Sequence, residues 1–217
     1  MGDLTILERI AVWALPVIFA ITVHEVAHGW VANKLGDNTA KKLGRLTLNP
    51  ISHVDLIGTI IVPAVLLFLG GFMFGWAKPV PVNWNNLKNP KHDMVYVAIA
   101  GPMANLVMAI MWAALLKLGY LIGSGNEAIS LGLIYMGHAG VIINLVLMVL
   151  NLLPLLPLDG GRVLAGLLPQ KASYQFSKLE RLGFPLLIVI IATGWLSKIL
   201  TPPVYFLQTG IFNVFGI

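Results

Sequence analysis

The sequence predicts an all-α polytopic membrane protein, and three observations carry that prediction. Of 217 residues, 58% are hydrophobic and only 11% charged, with a mean hydropathy of +0.85. That balance belongs to membrane proteins rather than soluble domains. Apolar segments recur at about 7–32, 56–76, 94–118, 129–153 and 182–200; each is close to the roughly 20 residues a span requires. Lys and Arg gather in the connections between them, which is the pattern of loops that sort across a bilayer. The expected architecture is four to six transmembrane or re-entrant segments. No polar stretch is long enough for a second core, so 1–217 is read as one domain. A core at about 7–170 is expected, with an accessory helix and tail at about 180–217.

The elements follow in order. The first apolar segment contains the pentad His24-Glu25-Val26-Ala27-His28 and is expected to be retained rather than cleaved as a signal peptide. The next connection, 34–55, carries Lys34, Lys41, Lys42 and Arg45. Its turn residues Gly36, Asp37, Asn38, Gly44 and Asn49-Pro50 bracket a short alternation. Either a membrane-associated β-hairpin or a plain loop satisfies that pattern. Segment 56–76 contains Pro63 and Gly70-Gly71, and Lys78, Lys88 and Lys91 follow it. Basic connections on both sides argue against a crossing, so a re-entrant hairpin or half-helix is expected, against the plainer reading of a full span. Connection 119–128 has no Lys or Arg, whereas 154–181 has Arg162, Lys171, Lys178 and Arg181. The three basic connections are expected in the cytoplasm. Trp76, Trp84, Trp195 and Tyr205 read as interface anchors. The sequence does not decide whether 201–217 lies at the outer interface or packs on the bundle.

The composition also excludes chemistries. Cysteine is absent, so there is no disulfide framework, thiolate nucleophile or thiolate ligand. The formal charge of +5 is explained by loop topology and implies no nucleic-acid partner. Three ionisable groups within one span cost roughly 2.5–3.5 kcal/mol each even on lenient insertion scales, so they need a compensating role. Residues four apart share a helix face, so His24 and His28 can reach one metal ion. Glu25 beside them is of the type that serves as general base. A catalytic zinc site commonly has three protein ligands. The best third candidate is Asp159, the only carboxylate between Glu127 and Glu180. Pro154 and Pro157 interrupt the helix before it, and Gly160-Gly161 after it permit close backbone approach. If the first and fourth segments both run from outside to inside, His28 and Asp159 lie toward the cytoplasmic ends of their helices.

Taken with Leu158-Asp159-Gly160, Gly101-Pro102-Met103-Ala104-Asn105, Asn151-Leu152-Leu153-Pro154, Gly44 to Pro50 and Gly75 to Asn83, the pentad resembles the site-2 protease family of intramembrane zinc metalloproteases. The likeness covers about 7–170 and points to the compact prokaryotic branch without a PDZ domain. It implies one zinc per chain held by His24, His28 and Asp159, with Glu25 as catalytic acid/base and Asn151 near the substrate. Asn105 is read either as lining the active site beside the substrate or as glue between helices. Asn144 shares a helix face with Asn151 and is read as packing. His53 with Asp55 is read as a local hydrogen-bonded pair, and His92 and His138 as non-ligands.

The expected activity is a zinc metalloendopeptidase that cuts transmembrane protein substrates within the lipid bilayer. A prokaryotic inner (cell) membrane is the expected location, with the active site toward the cytoplasm. The alternatives are a metal or proton transporter and a catalytically silent membrane scaffold.

Overall fold

The computed structural model describes residues 5–61 and 77–217. Helix α1 (Ile6–Lys34) begins at a capping box. The Thr5 side chain accepts from the Glu8 N–H, and Glu8 accepts from the Thr5 N–H at 2.8 Å, satisfying donors a helix start otherwise leaves open. Helix α2 (Thr39–Lys42) is a single turn. Helix α3 (Pro90–Ile122) starts on a proline, whose missing N–H has no partner to lose there. Helix α4 (Glu127–Asn151) is capped by the Asn126 side chain and ends just before Pro154. Helices α5 (Asp159–Leu167), α6 (Gln170–Lys178), α7 (Glu180–Ala192) and α8 (Trp195–Phe215) complete the chain.

Helices α1, α3 and α4 are long and apolar enough to cross a membrane. They pack on one another, with α3 and α4 in the most extensive contact. Small residues permit this closeness. A Cβ at Gly137 would run into Leu116, and one at Gly140 into the Trp112 ring. Close approach at glycine is how helices gain packing energy in lipid, where no hydrophobic drive favours association. Around these glycines lie buried Ala109, Trp112, Ala113, Val141 and Leu145. Leu7, Val107, Leu121 and Phe206 instead turn outward, as suits surfaces solvated by lipid. The chain is thus an integral membrane protein built from helices.

Three expectations meet the structure differently. No strand forms across 36–55; α2 and a 3-10 turn at Pro50–His53 occupy it instead. Local turn bonds take most of the backbone groups a hairpin would have used, among them the Lys42 N–H to the Asn38 carbonyl and the Arg45 N–H to the Ala40 carbonyl, both at 2.9 Å, and side chains tie the stretch to 77–83. Asp37 accepts from the Thr39 N–H and, at 2.7 Å, from the Asn83 N–H, while Arg45 donates to the carbonyls of Lys78 and Pro79. The piece 77–83 is held by these side chains and by the Lys78 N–H donating to the His53 carbonyl at 2.9 Å, rather than by a neighbouring strand. At the C-terminus, the expected span 182–200 is broken. Gly194 adopts φ +72°, and α7 and α8 meet there at 84°. Residues 201–217, whose placement the sequence left open, are largely helical; α8 packs on α4, and Lys117 Nζ donates to the Gly216 carbonyl at 3.0 Å. Of segment 56–76 only the turn Leu56–Ile61 is described; the re-entrant reading lies otherwise outside the described residues, as does Trp76.

Asp37 is buried and joins the end of α1 to the 83–86 turn, also accepting from Asn86 Nδ2 at 2.9 Å. Burial pushes its carboxyl up, but the hydrogen bonds from Thr39, Asn86 and the Asn83 and Thr39 amides outweigh that and hold it below the usual carboxylate range. A depressed folded value means the stabilisation is fully present above the unfolded pKa of about 3.9 and is lost as pH falls through the folded value. Asp37→Ala should lower stability by about 2–4 kcal/mol at pH 7, because several buried donors lose their acceptor. Thermal unfolding at pH 7 and pH 3 checks this; the deficit should shrink at the lower pH.

Candidate metal centre

His24 and His28 stand one turn apart on α1, their rings edge to face with centroids 4.6 Å apart. His28 Nδ1 lies 2.7 Å from the Val97 carbonyl on α3. A carbonyl only accepts, so Nδ1 carries the hydrogen and Nε2 keeps its lone pair. His24 Nδ1 lies 2.6 Å from Asn105 Oδ1, and its Nε2 likewise faces inward. The two Nε2 atoms are 3.0 Å apart, and Asp159 Oδ2 is 3.3 Å from each.

Asp159 reaches this point because α5 begins there. Its first turn tucks under the loop that ends α4: a Cβ on Gly161 would meet Leu156 N at 2.5 Å, and one on Gly160 would meet the Leu153 carbonyl oxygen at 2.5 Å. The glycine pair therefore permits the close approach that its sequence suggested. The carboxylate also sits at a helix N-terminus, where the backbone dipoles favour negative charge.

Three electron-rich atoms this close repel one another unless a proton or a cation lies between them. Asp159 Oδ2 is buried with no hydrogen-bond partner. Among the described residues, His24, His28 and Asp159 are the group whose ligand atoms, all within 4.8 Å of one another, could hold a metal. Two imidazole nitrogens and one carboxylate oxygen, with no sulfur, form a donor set that suits zinc. The space for an ion is framed by Gly101 on α3, whose absent Cβ would stand 2.6 Å from both His24 Cε1 and His28 Cε1. Gly101→Ala should therefore displace the imidazoles and weaken zinc binding by about tenfold or more, on the scale of supporting-residue changes. Zinc titration against a chelator checks this, and an unchanged affinity would refute it.

A cavity of about 460 Å³ opens from these groups, walled by Glu25, Pro79 to Val82, Trp84, Asn151 and Arg162. Glu25 Oε2 accepts from the Val80 N–H at 2.7 Å. Pro79 and Pro81 on either side have no N–H, so Val80 is the sole backbone donor in that triplet. Arg162 lies over the Trp84 ring at 5.4 Å and reaches Glu180 at 3.5 Å. Trp84, expected as an interface anchor, thus forms part of the cavity rim. Asn151 lines the cavity and donates to the Leu147 carbonyl.

Asn105 does not. It is fully buried behind His24, and its amide is consumed by His24, the Ala20 carbonyl and Asn144. Of the two readings offered for it, the structure shows the contacts of the interhelical one, and Asn105 is not among the residues that wall the cavity. His53 donates to the Thr47 carbonyl at 2.9 Å, outside the site, and His138 meets the Phe212 ring edge to face. Sequence reasoning missed the Val80 amide, the Val97 carbonyl and the role of Gly101. Gly101 and Val80 each left a trace as members of a quoted motif, whereas Val97 left none.

A helical membrane protein with such a donor set beside a carboxylate-lined cavity defines an integral-membrane metallohydrolase. Comparison with known proteins specifies it further. Residues 117–192, a stretch that includes Asp159, match Peptidase family M50. Over 189 residues, 87% of this chain and 83% of the relative, the sequence is 43% identical to YwhC of Bacillus subtilis, provisionally named a zinc metalloprotease. It is 27% identical over 182 residues to Rip2 of Mycolicibacterium smegmatis, also provisionally so named, covering 83% of this chain and 66% of that one. Similarity extends at 25% identity over 199 residues to zinc metalloprotease MJ0392 of Methanocaldococcus jannaschii, of which this chain spans about half. No solved structure matches. The chain belongs to peptidase family M50 and is a metalloprotease.

Proposed function

We propose that this protein hydrolyses peptide bonds within or beside the transmembrane segments of other membrane proteins. In this reading one zinc is held by His24, His28 and Asp159, Glu25 is the acid/base, and Asn151 contacts the substrate. The observation that carries it is the convergence of the His24 and His28 Nε2 atoms and an orphaned Asp159 oxygen inside a helical bundle.

Zinc bound there would polarise the scissile carbonyl and acidify the attacking water to a pKa of roughly 7. Glu25 is the residue that would take up a proton from the attacking water and pass it to the leaving amine. The Val80 amide holds one Glu25 oxygen and so fixes the direction in which the carboxylate works. Asn151 lines the cavity wall, which supports a hydrogen bond from it to an extended substrate backbone. A substrate helix hides its peptide bonds, so helix-weakening residues near the cut favour cleavage.

The site lies toward the end of the bundle that joins the C-termini of α1 and α4 to the N-terminus of α3. Lys34, Lys41, Lys42 and Arg45 cluster at that end, which supports a cytoplasmic placement in a prokaryotic cell membrane.

The test is reconstitution of the purified protein in lipid vesicles with a single-span substrate carrying a central Gly-Pro pair. Chelator-sensitive cleavage inside the span, restored by zinc, is expected. Cleavage confined to the water-exposed flank would overturn the proposal.

A further inference from the structure

We propose that Asn144 and Asn105 are positioning residues for His24: a relay of two side-chain amides, anchored on backbone carbonyls, selects the ring tautomer whose Nε2 is free to bind metal. The proposal rests on the reading of His24 as a zinc ligand.

The direction of the relay is set by groups whose polarity cannot change. Asn144 Nδ2 lies 2.8 Å from the Gly140 carbonyl, which only accepts. The Asn144 amide nitrogen is therefore committed, and Oδ1 is the atom turned toward Asn105. Asn105 Nδ2 lies 3.0 Å from that oxygen and 3.1 Å from the Ala20 carbonyl, a second fixed acceptor. Both hydrogens of the Asn105 amide are thereby used, which leaves Oδ1 facing His24 Nδ1 at 2.6 Å. An amide oxygen cannot donate, so the ring hydrogen sits on Nδ1 and the lone pair on Nε2.

Reversing Asn105 would set its oxygen against two other oxygens and its NH2 against the ring. The hydrogen of a neutral ring would then move to Nε2, the atom required for the metal. Asn105 and Asn144 are both 0% exposed, so no water is at hand to stand in for a lost partner, and the penalty for mispairing is high. His28 reaches the same tautomer through one carbonyl. His24 requires three helices in register, because His24, Asn105 and Asn144 lie on α1, α3 and α4 respectively. The relay thus ties ligand geometry to assembly of the three spans.

The experiment uses full-length, zinc-free protein labelled with 15N-histidine in micelles, with His24→Ala assigning the His24 signals. Ring nitrogen shifts report the tautomer, and chelator competition reports zinc affinity. Wild-type His24 should be wholly in the Nδ1–H form. Asn105→Ala should populate Nε2–H and weaken zinc about 10- to 100-fold, the range for supporting partners of a metal-bound histidine. Asn105→Asp, which keeps an acceptor at Nδ1, should recover part of that loss. Asn144→Leu should weaken zinc less than Asn105→Ala and add nothing in the Asn105→Ala background, since it acts only through that residue. It also provides the test if Asn105→Ala fails to fold. An Nε2–H ring in the wild type, a tautomer unmoved by Asn144→Leu, or additive effects would each overturn the relay. Undiminished zinc in His24→Ala, with the tautomer shifts as expected, would instead overturn the ligand reading.

Discussion

Replacing Asp159 with alanine is expected to take zinc from about one per chain to near none, with proteolysis lost alongside it. The variant removes one of three converging donors, leaving the two Nε2 atoms 3.0 Å apart without the Asp159 carboxylate. The loss should exceed the roughly 10- to 100-fold that follows from changes behind a ligand. Wild-type protein should also melt higher when zinc is added; at a free zinc level of 100 times Kd the gain is about 2.7 kcal/mol. Asp159→Ala should lack that zinc-dependent rise. Metal analysis of purified protein and melting with and without added zinc check both expectations. Undiminished zinc would place the third ligand elsewhere, and Glu25, the other carboxylate of the cavity, would be next to test.

The second large effect is expected from Glu25→Gln. Removing a general acid/base ordinarily lowers turnover about 10²- to 10⁴-fold, which corresponds to roughly 3–5 kcal/mol of barrier. The amide is a clean replacement here because its oxygen still accepts from the Val80 N–H, which lies 2.7 Å from the native carboxylate. The cavity wall should stay in place and zinc should remain bound. The expected signature is a fall in kcat with KM and zinc content near wild type. Turnover at the wild-type rate would refute the acid/base role. Loss of zinc together with activity would show that Glu25 is itself a ligand.

The two variants probe residues that differ in how far local sequence could read them. The pairing of His24 with His28 is a property of one helix: four residues bring side chains to the same face wherever that helix sits. The break before Asp159 was legible for a similar reason, since Pro154 and Pro157 cannot continue a helix. Asn105 marks the limit. Its position in the third span was evident, but an asparagine amide offers both donors and acceptors, so its role depends on what surrounds it. The structure surrounds it with the Ala20 carbonyl, Asn144 and His24. The same holds at the C-terminus, where hydropathy continued smoothly through Gly194 although the chain turns by 84° there.

By itself, then, the sequence determined the membrane class, the three long helices, the helical pentad and the break in the helix before Asp159. These depend on composition, helical periodicity and the backbone limits of proline and glycine, all of which act within a few residues. Only the tertiary structure decided that Asp159 Oδ2 comes within 3.3 Å of both imidazoles. It also decided that Val80 donates to Glu25 and that Asn105 stands behind His24 rather than in front of it. Those contacts join residues 55 to 135 positions apart. Hydrogen-bond partners at such separations are selected by which helix faces pack together, and no local pattern encodes that choice.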